Sequence, residues 1–299
     1  MEGPSSSAKV FAIIGDPVSH SASPAMHNAA FRALGMDAVY CAFRVKKESL
    51  PHALDGMRAL GIAGMNVTAP HKQDAMRLVD EVDEMACKAG AVNTIVSQGR
   101  KLKGFNTDVA GCARALQMLM GRENMAGLEV IVLGAGGAAR AALVALGNGN
   151  RISIVSRDVQ KAIDAMRELG LSRFKAIGWD GIANAVEHAD LLVNATPVGL
   201  AEGESPIEAS LLSPHTRVLD LVYTRGGTKL VRDAKALGIN AVDGKEMLLQ
   251  QAFESFGLFT GMEAPREEMN NALEEWSRDK HQPLDEEKKT GNLWKENEK

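Results

Sequence analysis

Two hydrophobic rhythms follow one another along the chain. From Val10 to about Met120 short apolar runs and amphipathic stretches interleave irregularly. Val10 to Gly15 is an apolar run ending in Gly-Asp-Pro and predicts a strand followed by a turn. Ser23-Pro24 opens a helical pattern through Leu34, with Ser23 placed as the N-cap and Pro24 as the first helical residue. Ala38 to Val45 predicts a strand, Leu50 to Leu60 a helix stopped by Gly61, Gly64 to Thr68 a short strand and Asp74 to Asp80 another helix. Ala91 to Ser97 and Leu102 to Phe105 predict strands joined by a hairpin at Gln98-Gly99. Val109, Cys112, Leu116 and Leu119 then share one face of a long helix ending near Met120.

After Gly121 the rhythm becomes regular. Apolar strands at Glu129 to Leu133, Arg151 to Val155, Ala189 to Asn194, Arg217 to Val222 and Ile239 to Val242 alternate with helical patterns. That alternation predicts a parallel sheet with helices on both faces. Met247 to Thr260 is a further helical stretch, expected to return to the first unit and close the chain over the cleft. The reading is an α/β chain of two domains, residues 8–120 plus 245–275 and residues 121–244, with a polar tail at 276–299. Runs such as Asp285-Glu286-Glu287-Lys288-Lys289 leave that tail little with which to build a core, so disorder is expected there.

The totals narrow the function. A chain of 299 residues suits two domains of ordinary size. A net charge of −4 offers a phosphate backbone no attraction, and an aromatic content of 4% leaves few platforms for bases, so nucleic acid is not an expected partner. Cys41, Cys87 and Cys112 are widely spaced and form no CxxC or Cys/His cluster, which predicts neither a metal site nor a disulfide framework. Met1 to Lys9 lacks the apolar core of a signal peptide, and no run of about 18 apolar residues exists. The expected location is cytoplasmic, without a membrane partner, as a monomer or homodimer.

Gly134-x-Gly136-x-x-Ala139 follows a predicted strand and opens a helix, which turns a weak motif into a strong one. Gly134 permits the tight turn, Gly136 lets backbone approach a pyrophosphate, and Ala139 allows close helix–strand packing. Phosphates would then lie over the N–H groups at the helix start. This makes the second domain a Rossmann-type, doubly wound parallel-sheet NAD(P) domain. The next strand should end at the adenine ribose, where the chain reads Ser156-Arg157-Asp158. Arg157 offers a planar, charged fork suited to a 2′-phosphate and points to NADP, while Asp158 would oppose that phosphate and leaves NAD open.

Small polar groups gather at strand ends of the first domain: Ser19-His20-Ser21-x-Ser23-Pro24, Asn66-Val67-Thr68-x-Pro70-His71-Lys72, Ala91-Val92-Asn93-Thr94 and Asn106-Thr107-Asp108, joined by Gln250-Gln251 in the returning helix. Singly, Ser23 and Asp108 could be N-caps, Asn93 a turn residue and Lys72 a solvated lysine. Together their hydroxyls, amides, one lysine and one aspartate suit a small polyhydroxylated acid. If Pro70 begins a helix, Lys72 sits in a first turn where a cation opposes the dipole, a placement that suits a proton-transferring group better than a structural one.

These motifs, followed in order by Gly134-Ala135-Gly136-Gly137-Ala138-Ala139-Arg140, Asn194-Ala195-Thr196, Asp220-Leu221-Val222-Tyr223 and Gln250-Gln251-Ala252, resemble those of the shikimate dehydrogenase family from about Val10 to Gly261. The resemblance implies a reversible, NADP-linked reduction of 3-dehydroshikimate to shikimate at a cleft between an N-terminal substrate-binding domain and the Rossmann domain. It implies Lys72 and Asp108 as the catalytic pair and Ser21, Ser23, Asn66, Thr68, Lys72, Asn93, Asp108, Tyr223 and Gln251 as substrate-binding residues. On the cofactor side it implies Gly134, Ala135, Gly136, Gly137, Ala138, Ala139, Ser156, Arg157, Thr196, Val222 and Gly244, and no metal. A quinate or dual quinate/shikimate enzyme would use the same site, although Ser23 leans towards shikimate. A non-catalytic NAD(P) sensor is the alternative from another class, and the presence of both Lys72 and Asp108 speaks against it. The chain differs from the family where the latter often has Asn-Arg-Thr in place of Ser156-Arg157-Asp158, and a proline in place of Arg225. Beyond about Ala264 no family counterpart is expected.

Overall fold

In the computed structural model, which describes residues 3–278, the two rhythms become two six-stranded sheets. The first contains β1 (Lys9–Gly15), β2 (Ala38–Arg44), β3 (Gly64–Val67), β4 (Glu81–Val82), β5 (Thr94–Gln98) and β6 (Lys101–Phe105), in the order β2-β1-β3-β5-β6-β4. It is mixed: β1 runs parallel to β2 and β3, whereas β5 is antiparallel to β3 and β6. Between the strands lie α1 (Ser23–Ala33), α2 (Leu50–Leu60), α3 (Lys72–Leu78) and α4 (Glu84–Ala89). Residues of β1 alternate between two cores. Phe11 and Ile13 join Met26, Phe31 and Phe256 on one face, and Ala12 and Ile14 join Leu50, Leu54 and Met57 on the other.

The second sheet contains β7 (Glu129–Leu133), β8 (Arg151–Val155), β9 (Phe174–Ile177), β10 (Leu191–Asn194), β11 (Arg217–Asp220) and β12 (Ala241–Val242), all parallel, in the order β12-β11-β10-β7-β8-β9. Read from β7 outwards, this is the doubly wound dinucleotide-binding order, with its switch point between β7 and β10. Both faces are covered, so the central positions of β7 point apolar side chains both ways: Val130 and Val132 face one core, Ile131 and Leu133 the other. The connecting helices are α6 (Gly137–Leu146), α7 (Val159–Glu168), α8 (Ile182–Val186) and α9 (Lys229–Ala236).

Two helices tie the sheets together. α5 (Asp108–Met120) follows β6, yet buries Cys112, Leu116 and Leu119 in the core under the second sheet. α10 (Lys245–Thr260) runs back along α5 and sends Leu249, Phe253 and Phe256 into the first unit's core. Gly111 makes the crossing close, because a Cβ there would fall 2.7 Å from the Met247 carbonyl. α11 (Arg266–Arg278) then packs on α1 through Met269 and Leu273. It runs past the domain boundary expected at residue 275, and its Trp276 packs on the same core. The rest of the expected tail lies outside the described residues.

Candidate active site

Strand pairing gathers the polar segments of the first unit. β3 and β5 set Asn66 opposite Thr94, and β5 and β6 set Thr94 opposite Phe105, so three segments end side by side. Asn93 Nδ2 donates to Asp108 Oδ1 at 2.8 Å and to Thr107 Oγ1 at 2.9 Å, and its Oδ1 accepts from Thr107 N at 2.8 Å. Asp108 is thereby oriented from one side. Its other oxygen accepts from Lys72 Nζ at 2.6 Å. Asp108 is the first residue of α5 rather than its cap. Lys72 is the first residue of α3, which opens two residues after Pro70. The two side chains are only 16% and 6% exposed, so each charge depends on the other for compensation.

Beneath this pair lies a closed polar layer. Tyr40 donates its hydroxyl to Asn66 Oδ1 at 2.6 Å, and Asn66 Nδ2 reaches Thr94 Oγ1 and Ser255 Oγ, both at 3.0 Å. Ser255 in turn donates to the Gln251 carbonyl at 2.8 Å and lies 3.1 Å from Thr107 Oγ1. Asn66 is thus committed on both sides of its amide and supports Asn93 from below. The Gln251 amide nitrogen donates to Leu248 O at 2.9 Å, within the same layer. Tyr40, Thr94, Thr107 and Ser255 carry this layer; Thr94 and Thr107 stand in the polar motifs without an assigned role, and sequence reasoning alone does not single out Tyr40 or Ser255. The available signal is Ser255 four residues after Gln251, on the same face of α10.

At the other edge, Tyr223 reaches across from the second unit, and its hydroxyl meets the Ala22 backbone and the Ser21 hydroxyl. Burial of that end raises its pKa above the usual phenol value. Ser23 is a correction to the expected N-cap: Ala22 holds that position, and Ser23 is buried inside α1 with its hydroxyl towards Tyr40. The Ser21 hydroxyl accepts from Ser23 N at 3.2 Å. His27, also in the opening motif, is a core ring stacked on Tyr40 at 4.4 Å, and burial lowers its pKa to about 3, so it stays neutral. Thr68 follows β3 half-buried, against Gly15.

The nucleotide loop lies at the switch point between β7 and β10. Gly134 has φ +97°, and a Cβ there would meet the Ala195 carbonyl at 3.0 Å. Nothing comes within 4 Å of a Cβ built on Gly136, the free space that an approaching pyrophosphate needs. No side chain caps α6, so N–H groups at its start remain for a ligand. Ala139 is wholly buried, and Ala135 and Ala138 flank it in the turn and first helical turn. A Cβ on Gly137 would lie 3.2 Å from Lys72 Cδ. The stem of the lysine therefore rests on the nucleotide loop, and the two halves of the site meet there. Thr196 is fixed by Asn194 Oδ1, which accepts from its N at 3.1 Å and its Oγ1 at 2.7 Å. Gly244 N donates to Val222 O at 3.0 Å. At the tip of β8, Arg157 is exposed, Ser156 Oγ accepts from Asp158 N at 3.2 Å, and Asp158 caps α7 by accepting from Lys161 N at 2.9 Å. These features fit a dinucleotide.

Asp220 is the buried support beneath the cofactor loops. Its Oδ1 accepts from Asn194 Nδ2 at 2.8 Å and from Val222 N at 3.1 Å. Burial pushes its carboxyl up to about 6, with the neighbouring Asp243 charge adding to this, against hydrogen bonds from Thr228, Val222 and Asn194. The folded state therefore holds this proton more tightly than the usual value of 3.8 allows. Its stabilising contribution is full below that value and is lost as pH rises through about 6. Asp220→Asn keeps the acceptor and removes the charge. Thermal unfolding should give the variant a higher Tm than the parent at pH 8, with the gap closing by pH 4. A lower Tm at pH 8 would mean that the carboxylate's partners fully compensate its charge.

The comparisons agree with this geometry. The family model "Shikimate dehydrogenase substrate binding domain" matches residues 13–95, and "Shikimate 5'-dehydrogenase C-terminal domain" matches residues 244–274. The second match extends the family's pattern past Ala264, where the sequence led one to expect none; α11 there is polar enough to hide it. The shikimate dehydrogenase (NADP+) of Methanosarcina barkeri is 41% identical over 89% of this chain and 97% of its own length. The structure of the Thermus thermophilus enzyme, in complex with NADP(H) and shikimate, superimposes with a TM-score of 0.78 at 37% identity, covering 90% of this chain and 99% of that one. Quinate dehydrogenase from Corynebacterium glutamicum, in complex with NAD, gives 0.78 at 33% identity, covering 89% and 98%. With identity of this order along nearly the full length of the relatives, and with a Lys–Asp pair set against a dinucleotide loop, the chain belongs to the shikimate dehydrogenase family.

Proposed function

We propose that this chain catalyses the reversible, NADP-linked reduction of 3-dehydroshikimate to shikimate. The Gly134–Ala139 loop, Ser156, Arg157, Thr196, Val222 and Gly244 would hold NADPH, which when bound would supply the hydride for the C3 carbonyl. Lys72 Nζ gives its proton to the oxygen at C3 as the carbonyl is reduced, and takes it back in the reverse direction. Asp108 holds the ammonium in line and accepts from a substrate hydroxyl through the same carboxylate. Ser21, Ser23 and Tyr223 offer hydroxyls to the substrate carboxylate, while Thr68 and Gln251 serve the ring hydroxyls. Asn66 and Asn93 keep the pair and its neighbours in register. The observation that supports this reading is Lys72 itself: its amine is bound to a buried carboxylate and its stem lies against Gly137. A proton donor is thereby set beside a nucleotide loop. The chain works on a small molecule in the cytoplasm, as a monomer or homodimer, without nucleic acid or membrane; a net charge of −4, which offers a phosphate backbone no attraction, speaks against nucleic acid.

The test is NADPH oxidation with 3-dehydroshikimate, set beside NADH and 3-dehydroquinate. The highest kcat/KM is expected for NADPH with 3-dehydroshikimate. A preference for 3-dehydroquinate would make this a quinate enzyme, and NADPH binding without turnover of either acid would make it a sensor.

A further inference from the structure

Tyr223 belongs to the second unit by chain position, just beyond Val222 and the end of β11, yet its ring lies in the first unit's core cluster. Something must keep it there. Its ring meets Trp276 edge-on, with centroids 5.8 Å apart and an interplanar angle of 61°. The Arg225 guanidinium lies 5.0 Å over the same indole. Trp276 is itself anchored, because α11 buries Met269 and Leu273 against α1. One aromatic side chain of the C-terminal helix therefore grips two residues of the loop that leaves β11, and that loop carries Tyr223 to Ser21 and Ala22.

We propose that Trp276 is a positioning residue for Tyr223, clasping the β11–α9 loop onto the first unit so that the tyrosine hydroxyl stands at the carboxylate end of the substrate. This rests on the reading of Tyr223 as a substrate-binding residue. The edge-on contact orders the ring, and the cation over the indole holds the loop from its other side. Neither contact reaches the nucleotide loop or Lys72, so the clasp bears on substrate affinity and leaves hydride and proton transfer alone.

Steady-state kinetics with shikimate and NADP test this. Trp276→Ala should raise the KM for shikimate about tenfold, the size of one aromatic contact and one cation–π contact together, with kcat and the KM for NADP nearly unchanged. Trp276→Phe keeps a ring at that place and should recover most of the loss. Leu273→Val trims the anchor of α11 but keeps the Trp276 ring against Tyr223 and Arg225, and should raise the KM for shikimate much less than Trp276→Ala does. In a Tyr223→Phe background, Trp276→Ala should add little. An equal rise in KM from Leu273→Val, a rise in the KM for NADP as large as that for shikimate, or fully multiplicative effects with Tyr223→Phe would overturn the clasp. If Tyr223→Phe alone leaves the KM for shikimate unchanged, the assignment of Tyr223 falls and the clasp with it. If Tyr223→Phe raises that KM and Trp276→Ala does not, the clasp alone is wrong.

Discussion

Lys72→Ala is expected to lower kcat by about 10²–10⁴, the range for loss of a general acid–base group, while the KM for 3-dehydroshikimate changes little. The Lys72 amine lies 2.6 Å from Asp108 Oδ2, and Asn93 holds the opposite carboxylate oxygen, so the donor is positioned before substrate arrives. Removing the amine also leaves Asp108 buried without its counter-charge, so a fall in Tm should accompany the fall in rate. Asp108→Asn should impair the same step, because the lysine loses its orienting partner. The double variant should then be little worse than the poorer single variant, as expected for residues acting as a unit. Measurement at saturating NADPH separates the possibilities. A steep rise in KM with kcat near the parent value would make Lys72 a binding residue.

What is legible in the chain, and what is not, divides along physical lines. The β7–Gly134–α6 unit is legible because its parallel strand carries an unbroken apolar run from Val130 to Leu133 and the turn into its helix needs glycine where φ is +97°. The Asn93, Thr107 and Asp108 cluster is legible as an inventory but not as a network. Its lower layer depends on Ser255, which stands 189 residues from its partner Asn66 in the chain. The periodicity of α5 reveals its apolar face but not the sheet that receives it, so its packing under the second sheet stays hidden. The same limit conceals α11, where Met269, Leu273 and Trp276 are spaced four and three residues apart among polar neighbours. Ser23 misleads because Ser-Pro usually marks a helix start, whereas here the preceding residues already turn and Ser23 is drawn into the helix.

Arg157→Ala is expected to raise the KM for NADPH by about one to two decades, as loss of a charge-assisted contact worth roughly 1.5–3 kcal/mol would do, and to leave the KM for NADH almost unchanged. The two residues at the tip of β8 pull in opposite directions. Arg157 can pair with a 2′-phosphate, while Asp158 could repel it or accept from the ribose hydroxyls of NAD. Asp158 is already engaged elsewhere. Its carboxylate accepts from Lys161 N at 2.9 Å as the N-cap of α7, and its own N–H is taken by Ser156 Oγ at 3.2 Å. A capping carboxylate is turned into the helix start and is least free to reach the ribose. Arg157 directly follows the strand tip, is exposed, and has the longer reach. The balance therefore favours NADP, by a margin that the nearby acid reduces. Initial rates with each cofactor, for the parent and for Arg157→Ala, decide the matter. Equal losses with NADPH and NADH, or a parent enzyme faster with NADH at low concentration, would move recognition of the 2′-phosphate away from Arg157.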